Sequence, residues 1–166
     1  MVNKVAWITG AGSGIGEASA VKLSDEGFSV VLSGRTKETL DTVASKCKGQ
    51  VSVKPLDVSN YEDVKSVFED IISDYGRIDV LVASAGLNAK NRNWHNVSEQ
   101  DFDQIIKVDL NGVFYTNRLV LEKMKEQRGG LIINISSWAG KYVTTLTGPA
   151  YTAAKHGVNA LTEGIN

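Results

Sequence analysis

Short apolar runs alternate with longer amphipathic segments along the whole chain. Runs rich in β-branched residues and bounded by glycine or polar residues are typical of buried strands. They lie at Lys4–Thr9, Ser29–Ser33, Val51–Pro55, Val80–Ala83 and Leu131–Ile135. The segments between them carry apolar residues at helical spacing. With right-handed crossovers, this alternation predicts a parallel sheet covered by helices on both faces, with ligands at the carboxyl ends of its strands.

Several helix boundaries can also be predicted. Segment Ser59–Glu62 has the sequence of a capping box before an apolar stripe, and Gly76 is expected to end that helix. Segment Ser98–Asp101 forms a second predicted box, which opens a long helix that reaches Asn111–Gly112. This dipeptide is expected to interrupt the helix and leave room for a water molecule.

A glycine-rich loop follows the first predicted strand at once and leads into a predicted helix. Glycine at such positions tightens the turn, lets backbone approach a pyrophosphate and lets the helix pack on the strand. The N–H groups at the start of the helix face the anion. We therefore predict a dinucleotide site at Gly10, Gly12, Ser13, Gly14, Ile15 and Gly16. The alternative is a glycine-rich turn without a ligand.

Tyr151 and Lys155 lie four residues apart, downstream of Ser137. In a helix this spacing places the phenol and the ammonium on one face, where the positive charge favours the phenolate. A free phenol titrates near ~10, which is too high for efficient proton transfer at neutral pH without such a cation. The trio can therefore protonate a carbonyl oxygen, although a Tyr-x-x-x-Lys pair alone is a weak signal.

Together these motifs resemble the short-chain dehydrogenase/reductase family. Thr9–Gly16 matches its glycine motif, and Ala85 and Gly86 match the last two residues of the Asn-Asn-Ala-Gly segment that ends a strand in the family. The resemblance implies a Rossmann-like, doubly wound sheet with strand order 3-2-1-4-5. It also implies an adenine contact at Asp57 and Val58, a helix asparagine at Asn111 and a catalytic set at Ser137, Tyr151 and Lys155.

The resemblance also implies roles for these residues. Tyr151 would protonate the developing alkoxide, and Ser137 would hold the substrate oxygen. We choose Ser137 over Ser136 because the family's serine is followed by two residues and a glycine. Lys155 would also bind the nicotinamide ribose, with Asn111 linking it to solvent as a proton relay. Two of these residues have alternative interpretations without a functional role. Asn111 could be an exposed helix residue, and Asp57 could be a turn residue.

Two features depart from the family. Ala83 and Ser84 stand where the family has two asparagines, so we expect some loss of local stability. The chain has 166 residues, whereas the family's single domain runs to about 250 residues. We therefore expect one NAD(P)-binding domain over residues 1–166 that lacks the C-terminal part, with Leu131–Ile135 as an open edge. A natural minimal form is the alternative.

The end of the second predicted strand bears on the choice of dinucleotide. No acid lies there to bind a ribose 2′-hydroxyl. Arg35 and Thr36, with Ser33 and Lys37 nearby, suit a 2′-phosphate, so NADP is predicted and NAD is the alternative. The alternative interpretation is that Arg35 only caps the start of a solvated helix. Ser13 also counts against NADP, because many NADP-preferring relatives carry a basic residue at that position.

Composition excludes several classes of partner. The net charge is −1, with 18 basic and 19 acidic side chains, so neither nucleic acid nor a membrane is an expected partner. The single cysteine, Cys47, suits a reducing compartment, and the N-terminus resembles neither a signal peptide nor a membrane span. We predict a cytoplasmic protein without a metal site. The family's habit of pairing through helices, here 101–125 and 151 onward, implies a homo-oligomer, either dimer or tetramer.

The predicted activity is interconversion of a carbonyl compound and an alcohol by hydride transfer. The small-molecule substrate is expected between segments 87–97 and 138–148, which include Trp94, His95, Tyr142 and Leu146. His95 is interpreted as a surface loop residue. A dinucleotide-binding scaffold without turnover is the alternative function. A sugar-nucleotide epimerase also shares Tyr-x-x-x-Lys, but its usual glycine spacing is absent from this loop.

Overall fold

Five parallel strands form the single sheet of the computed structural model, which describes residues 4–165. Their order is β3-β2-β1-β4-β5, so the predicted Rossmann-like fold is confirmed. All neighbouring pairs run parallel, as expected for strands joined by helical crossovers. The strands are β1 (Val5–Thr9), β2 (Ser29–Ser33), β3 (Val51–Val53), β4 (Val80–Ala83) and β5 (Leu131–Asn134).

Helices connect consecutive strands and follow the last one. They are α1 (Gly14–Asp25), α2 (Lys37–Ala44), α3 (Tyr61–Tyr75), α4 (Glu99–Ile106), α5 (Gly112–Gln127) and α6 (Pro149–Glu163). A π-helical turn (Lys107–Asn111) joins α4 to α5, and a 3-10 turn (Trp138–Gly140) lies before α6. Between residues 4 and 165, no helix is both long enough and apolar enough to cross a membrane.

Successive side chains of β1 point into two separate cores, as the pleat of a strand requires. Val5 and Trp7 belong to a core that also contains residues of α3 and α5, while Ala6 and Ile8 pack with residues of α1 and α2. All four side chains are buried. The sheet is therefore covered by helices on both faces, and its backbone is fixed from both sides.

The predicted capping box at Ser59 and Glu62 is wrong. Helix α3 begins at Tyr61, and its N-cap is Asn60, whose side-chain oxygen accepts the N–H of Glu62 at 3.0 Å. The Ser59 hydroxyl instead donates to Asp57 Oδ1 at 2.8 Å. Asparagine is as good an N-cap as serine. Because the Ser59 hydroxyl is bound to Asp57, Asn60 caps the helix instead.

Other predicted boundaries are confirmed. Gly76 ends α3 with a φ of 73°, and the Ser98 hydroxyl accepts the N–H of Asp101 at the start of α4. At Asn111–Gly112 the helix does not break, because the hydrogen bonding widens into the π turn. A Cβ on Gly112 would lie 2.8 Å from Val58 Cγ2, so glycine here permits close packing against the loop after β3.

The strand ends differ slightly from the predictions. Strand β1 starts one residue later than predicted, β3 ends before Pro55, and β5 ends at Asn134. Proline has no N–H to donate to a ladder, which explains the short β3. Strand β5 lies at the edge of the sheet, where Leu131 is 54% exposed and Ile133 is 39% exposed. The predicted open apolar edge is therefore present among residues 4–165.

Candidate active site

Two recesses meet at the carboxyl ends of β1, β4 and β5. The larger, a cleft of about 700 Å³, contains Ser137, Tyr151 and Lys155. The smaller, about 270 Å³, contains Arg35 and Asp57. Both recesses are lined by Gly10, Ser13, Gly86 and Leu87, so they form one groove. We call this groove the cofactor groove, because a long ligand with two ends fits its two parts.

The glycine loop packs directly on neighbouring backbone. Gly10 has a φ of 64°, and a Cβ there would lie 2.7 Å from Ala85 Cα. A Cβ on Gly16 would lie 2.2 Å from the carbonyl oxygen of Gly10. These contacts hold the loop against the end of β4 and the start of α1 against the loop. Only glycine permits either approach, as the sequence predicted.

The start of α1 faces the groove. Its N-cap is Ser13, whose side chain makes no capping hydrogen bond, and Gly14 and Ile15 line the cleft. The N–H groups of the first helical turn are therefore left without a side-chain acceptor, and such groups bind phosphate well. Together with the close backbone approach at Gly10, this arrangement fits a dinucleotide pyrophosphate.

The smaller recess contains most of the residues predicted to bind the adenosine end. It is lined by Gly12, Arg35, Thr36, Asp57, Val58, Ala85 and Gly86, among others. Arg35 and Thr36 are exposed, so both can reach a ligand. Asp57 lines the recess and also accepts hydrogen bonds from the N–H and hydroxyl of Ser59. The turn role and the binding role of Asp57 are thus compatible.

Two members of the predicted phosphate-binding set have other partners. Ser33 is buried, and its hydroxyl oxygen accepts the indole N–H of Trp7 at 3.0 Å. Lys37 forms an ion pair with Asp41 at 2.6 Å, one helical turn away. Neither residue lines the smaller recess. Arg35 and Thr36 are therefore the members of that set that line this end of the groove.

Helix α6 brings Tyr151 and Lys155 to the same cleft as Ser137. Proline at its first position suits the helix start, because the N–H that proline lacks has no acceptor there. The Lys155 ammonium donates to the carbonyl of Ile135 at 3.0 Å and lies 5.4 Å from the centre of the Tyr151 ring. Lys155 is only 4% exposed. Burial lowers the pKa of Lys155, and the nearby carboxylate of Asp109 opposes that effect.

The two candidate serines have different hydrogen bonds. Ser136 donates its hydroxyl to the carbonyl of Lys155 at 3.4 Å. Ser137 accepts the N–H of Ala139 at 3.2 Å as the N-cap of the 3-10 turn, so its own O–H is left to donate. Both line the cleft. A free donor is what a developing negative charge requires, and this difference favours Ser137.

Asp109 is a buried residue of the site that the sequence analysis missed. Its side chain is 0% exposed, accepts the N–H of Leu87 at 2.8 Å and lies 3.6 Å from Lys155 Nζ. Burial raises the pKa of Asp109, while Lys155 and the Leu87 N–H oppose the rise. One signal was available in the sequence. Asp109 lies four residues from both Ile105 and Val113, on an apolar stripe where an acid is unexpected.

Asn111, the predicted helix asparagine, lies outside the cofactor groove. It is half-buried at the end of the π turn, lines neither part of the cofactor groove and makes no side-chain hydrogen bond to residues 4–165. Side chains two residues apart do not face each other on a helix, so Asn111 points away from Asp109. The side chain that this helix presents to Lys155 is that of Asp109. The relay role of Asn111 stays a prediction.

The end of β4 carries the two substitutions of the family's asparagines. Ala83 is buried, and Ser84 lines the cleft without a side-chain hydrogen bond to the described part of the chain. Thr9 Oγ1 accepts the N–H of Ala85 from the neighbouring strand at 3.4 Å. The link between β1 and β4 at this point is therefore one long hydrogen bond from backbone to side chain.

A third recess of about 1150 Å³ adjoins the cleft, and we call it the substrate recess. It is formed by the two predicted segments, and it contains His95 and, from α6, His156. Trp94, Val143 and Leu146 line it and are 77%, 84% and 77% exposed. Arg92 and Leu146 line both the substrate recess and the catalytic cleft. Tyr142 instead contacts Trp138 outside the recess, with ring centres 5.0 Å apart and the ring planes tilted by 38°.

Comparisons with known proteins agree with this geometry. The family model described as short chain dehydrogenase matches residues 4–166. The chain is 39% identical to an uncharacterised oxidoreductase of Staphylococcus aureus (strain USA300), over 99% of this chain and 71% of that protein. It is 37% identical to a 3-oxoacyl-[acyl-carrier-protein] reductase of Thermotoga maritima, over 96% of this chain and 65% of that protein.

Solved structures show the same relationship. A metagenomic short-chain oxidoreductase in complex with NADP superposes with a TM-score of 0.90 and 34% sequence identity, covering 98% of this chain and 75% of that one. The chain spans about two thirds of the length of the curated relatives and 60–75% of the chain length of solved ones.

Proposed function

Because the chain belongs to the short-chain dehydrogenase family, we propose that it interconverts a ketone or aldehyde and the corresponding alcohol with NADP(H). One observation carries the proposal. Tyr151, Lys155 and Ser137 line the same cleft as the glycine loop at Gly10 and Gly14. A bound NADPH supplies the hydride in such a reaction, and a proton donor must then lie beside the carbonyl oxygen.

Tyr151 is the proposed proton donor in reduction and acceptor in oxidation. Its ring lies 5.4 Å from the Lys155 ammonium, and this cation stabilises the phenolate that remains after proton transfer. Ser137, with its O–H free, donates to the oxygen on which charge develops. These groups are buried or half-buried, so their electrostatic effects exceed those of the same groups in water.

NADP is the proposed dinucleotide. Arg35 and Thr36 line the smaller recess, and the second strand ends without an acid that would bind a 2′-hydroxyl. A guanidinium binds a phosphate through two parallel hydrogen bonds, whereas it gains less from a hydroxyl. The solved relative described as a complex with NADP supports the same choice.

A homo-oligomer is proposed from helices α5 and α6. A shallow recess between them is lined by Phe114, Leu121 and Leu161, and Phe114 is exposed. Apolar residues of this kind are common at interfaces between subunits. Light scattering coupled to size exclusion measures the assembly, and a monomer at micromolar concentration contradicts the proposal.

The proposed activity is tested in two steps. Titration of the purified protein with NADPH, followed by fluorescence, measures binding. A panel of ketones, aldehydes, quinones and secondary alcohols then tests turnover, with the Tyr151→Phe variant as the matched control. Turnover that this variant lacks supports the proposal. NADPH binding without oxidation or reduction of any compound contradicts it and favours a dinucleotide-binding scaffold.

A further inference from the structure

The substrate recess has basic side chains and no acidic ones. Its ionisable side chains are those of Lys90, Arg92, His95 and His156. No Asp or Glu of residues 4–165 lines it. The whole chain has 18 basic and 19 acidic residues, so this separation of charge is local. A recess lined by one sign of charge concentrates ligands of the opposite sign, and this one is therefore suited to an anionic compound.

The cleft that contains Tyr151 has the same character. Its charged side chains are those of Lys155 and Arg92, and no acid in the described part of the chain lines it. The Lys155 ammonium already donates to the carbonyl of Ile135 and lies beside Asp109. The guanidinium of Arg92, by contrast, makes no hydrogen bond or ion pair with any residue between 4 and 165. Its five N–H donors are therefore left for a ligand.

Arg92 lies where the recess and the cleft meet. Arg92 and Leu146 are the residues that line both spaces. Arg92 does not line the smaller recess, where the proposed 2′-phosphate site lies at Arg35. Its guanidinium therefore lies between the proposed proton donor, Tyr151, and the space for the remainder of a substrate.

The backbone of Arg92 is held against the start of α6. A Cβ on Gly148, the N-cap of that helix, would lie 2.9 Å from the Cβ of Arg92. A second contact is made by Asn88, whose side chain donates to the carbonyl of Thr147 at 3.0 Å. Gly148 lies three residues before Tyr151, which is about one helical turn. The loop after β4 therefore keeps Arg92 about one turn from the proposed proton donor.

Apolar side chains accompany the basic ones. Four exposed apolar residues line the recess, namely Trp94, Phe102, Val143 and Leu146. Such side chains gain free energy when a ligand covers them. The acids that flank Phe102 on α4, Asp101 and Asp103, do not line the recess. The expected ligand therefore combines an anionic group with an apolar part.

We propose that the substrates are oxo acids, in which a carboxylate close to the reacting carbonyl is bound by Arg92. The inference rests on the proposed function, because it names the substrate class of the same reaction. A guanidinium forms two parallel hydrogen bonds with a carboxylate, which fixes the orientation of the neighbouring carbonyl. A single guanidinium matches the one negative charge of a carboxylate, whereas a phosphate monoester carries about −1.5 to −2.

Arg92 is a specificity-determining residue in this account. With the hydride of NADPH and a proton from Tyr151, the carbonyl of the oxo acid becomes the hydroxyl of a hydroxy acid. The carboxylate takes no part in bond making or breaking. The apolar part of the acid lies in the substrate recess, against Trp94 and Leu146. Loss of the guanidinium should therefore reduce the discrimination between acids and neutral carbonyl compounds.

The first test compares matched carbonyl compounds. With wild-type protein and NADPH, kcat/KM is measured for a 2-oxo and a 3-oxo acid with apolar chains, for their methyl esters and for a phosphorylated ketone. We expect one of the acids to exceed its ester by about 10- to 150-fold, the usual contribution of a charge-assisted hydrogen bond. Equal or faster turnover of the esters, or of the phosphorylated ketone, overturns the proposal.

Substitutions then identify the cation that carries the preference. In Arg92→Gln the acid-to-ester ratio of kcat/KM should fall about 10- to 150-fold. Arg92→Lys keeps the charge without the planar fork and should retain part of the ratio. Lys90→Gln is the matched comparison, because Lys90 is an exposed cation that lines the recess but not the cleft. Its ratio should fall no more than about 5-fold. Equal falls in the two glutamine variants overturn the role of Arg92.

The phosphates of the cofactor are the competing anions for Arg92. The glycine loop at Gly10 and Gly14 lines the same cleft. Fluorescence titration therefore measures the affinity of Arg92→Gln for NADPH in the absence of substrate, and we expect the wild-type affinity. The thermal midpoint should also be that of the wild type, because Arg92 is exposed. A loss of NADPH affinity as large as the fall in the ratio assigns Arg92 to the pyrophosphate and overturns the proposal.

Binding without turnover separates this proposal from the proposed function. NADP⁺ cannot reduce an oxo acid, so calorimetry of the protein with NADP⁺ measures binding of the acid alone. Binding that Arg92→Gln lacks supports the anion site even where no compound is turned over, and the proposed function alone then fails. Turnover of neutral ketones without a preference for acids leaves the proposed function standing and overturns the anion site. Absence of binding by either oxo acid also overturns it.

Discussion

The cofactor groove and the substrate recess adjoin each other but are built in opposite ways. The groove is lined by backbone at Gly10 and Gly86 and by the buried side chain of Lys155, all in close contact with neighbouring elements. The substrate recess is lined by loop side chains such as Trp94 and Val143, which are mostly exposed. Substitutions in the groove should therefore affect chemistry, cofactor binding or folding, whereas those in the recess should change specificity alone.

The largest expected effect is that of Tyr151→Phe. The change removes only the hydroxyl, and the ring still packs against the cluster of Ala89 and Ile105. We expect kcat/KM to fall about 10²- to 10⁴-fold, the usual contribution of a positioned acid, with an unchanged thermal midpoint. The control is Tyr142→Phe, because Tyr142 is exposed outside the substrate recess. A folded Tyr151→Phe protein that keeps most of its turnover would refute the acid role.

A smaller effect is expected from Gly16→Ala. The new Cβ would lie 2.2 Å from the carbonyl oxygen of Gly10, so the loop must move. Overpacking of this kind commonly costs about 1–3 kcal/mol. If this cost falls on the loop conformation that binds the cofactor, the affinity for NADPH should be about 5- to 150-fold weaker. Fluorescence titration measures the affinity. At Gly129 a Cβ meets nothing within 4 Å, so Gly129→Ala should leave binding unchanged. Equal affinities in the two variants contradict the close contact.

The fold was largely predictable because its central strands β1, β2 and β4 are buried on both faces. Strands β2 and β4 have the predicted bounds, and the order of the sheet follows from the family resemblance. Boundaries that depend on competition between neighbouring polar groups were less predictable. At α3, Asp57 engages Ser59, and Asn60 then becomes the cap. The local sequence shows that these three residues could each cap the helix, but not which of the competing hydrogen bonds is the most stable.

The candidate site was also predictable in some parts and not in others. Local motifs predicted the glycine loop and the Tyr151–Lys155 helix, because spacing alone puts those groups on one face. Asp109 was missed because its contacts join residues far apart in the chain, at Leu87 and Lys155. Lys37 lies outside the smaller recess and pairs with Asp41 on the surface, a contact that the motifs did not indicate. Contacts between distant segments are thus what the motifs did not predict.

The preference for NADPH is tested by Arg35→Asp. Removing the guanidinium and adding a carboxylate should raise the KM for NADPH about 10- to 100-fold more than the KM for NADH, because only NADPH has a 2′-phosphate to lose its partner. Lys37→Asp is the matched control. That lysine is a neighbouring cation outside the smaller recess, so its loss should leave the ratio of the two KM values nearly unchanged. Equal losses with both dinucleotides in Arg35→Asp contradict the NADP assignment.

The smallest expected effect on folding comes from the substrate recess, and two tryptophans make the contrast measurable. Trp94 is 77% exposed, so Trp94→Ala should change the free energy of unfolding by no more than about 0.5 kcal/mol. Trp7 is fully buried, and Trp7→Ala should cost about 3–5 kcal/mol. Denaturant titration measures both values.

For turnover, the same Trp94→Ala variant should change the KM of a carbonyl substrate several-fold and leave the affinity for NADPH as it was. Trp94 lines the substrate recess but neither part of the cofactor groove. A loss of NADPH affinity would mean that the exposed loop supports the groove. The two regions would then be coupled, and the division of chemistry from specificity would not hold for this molecule.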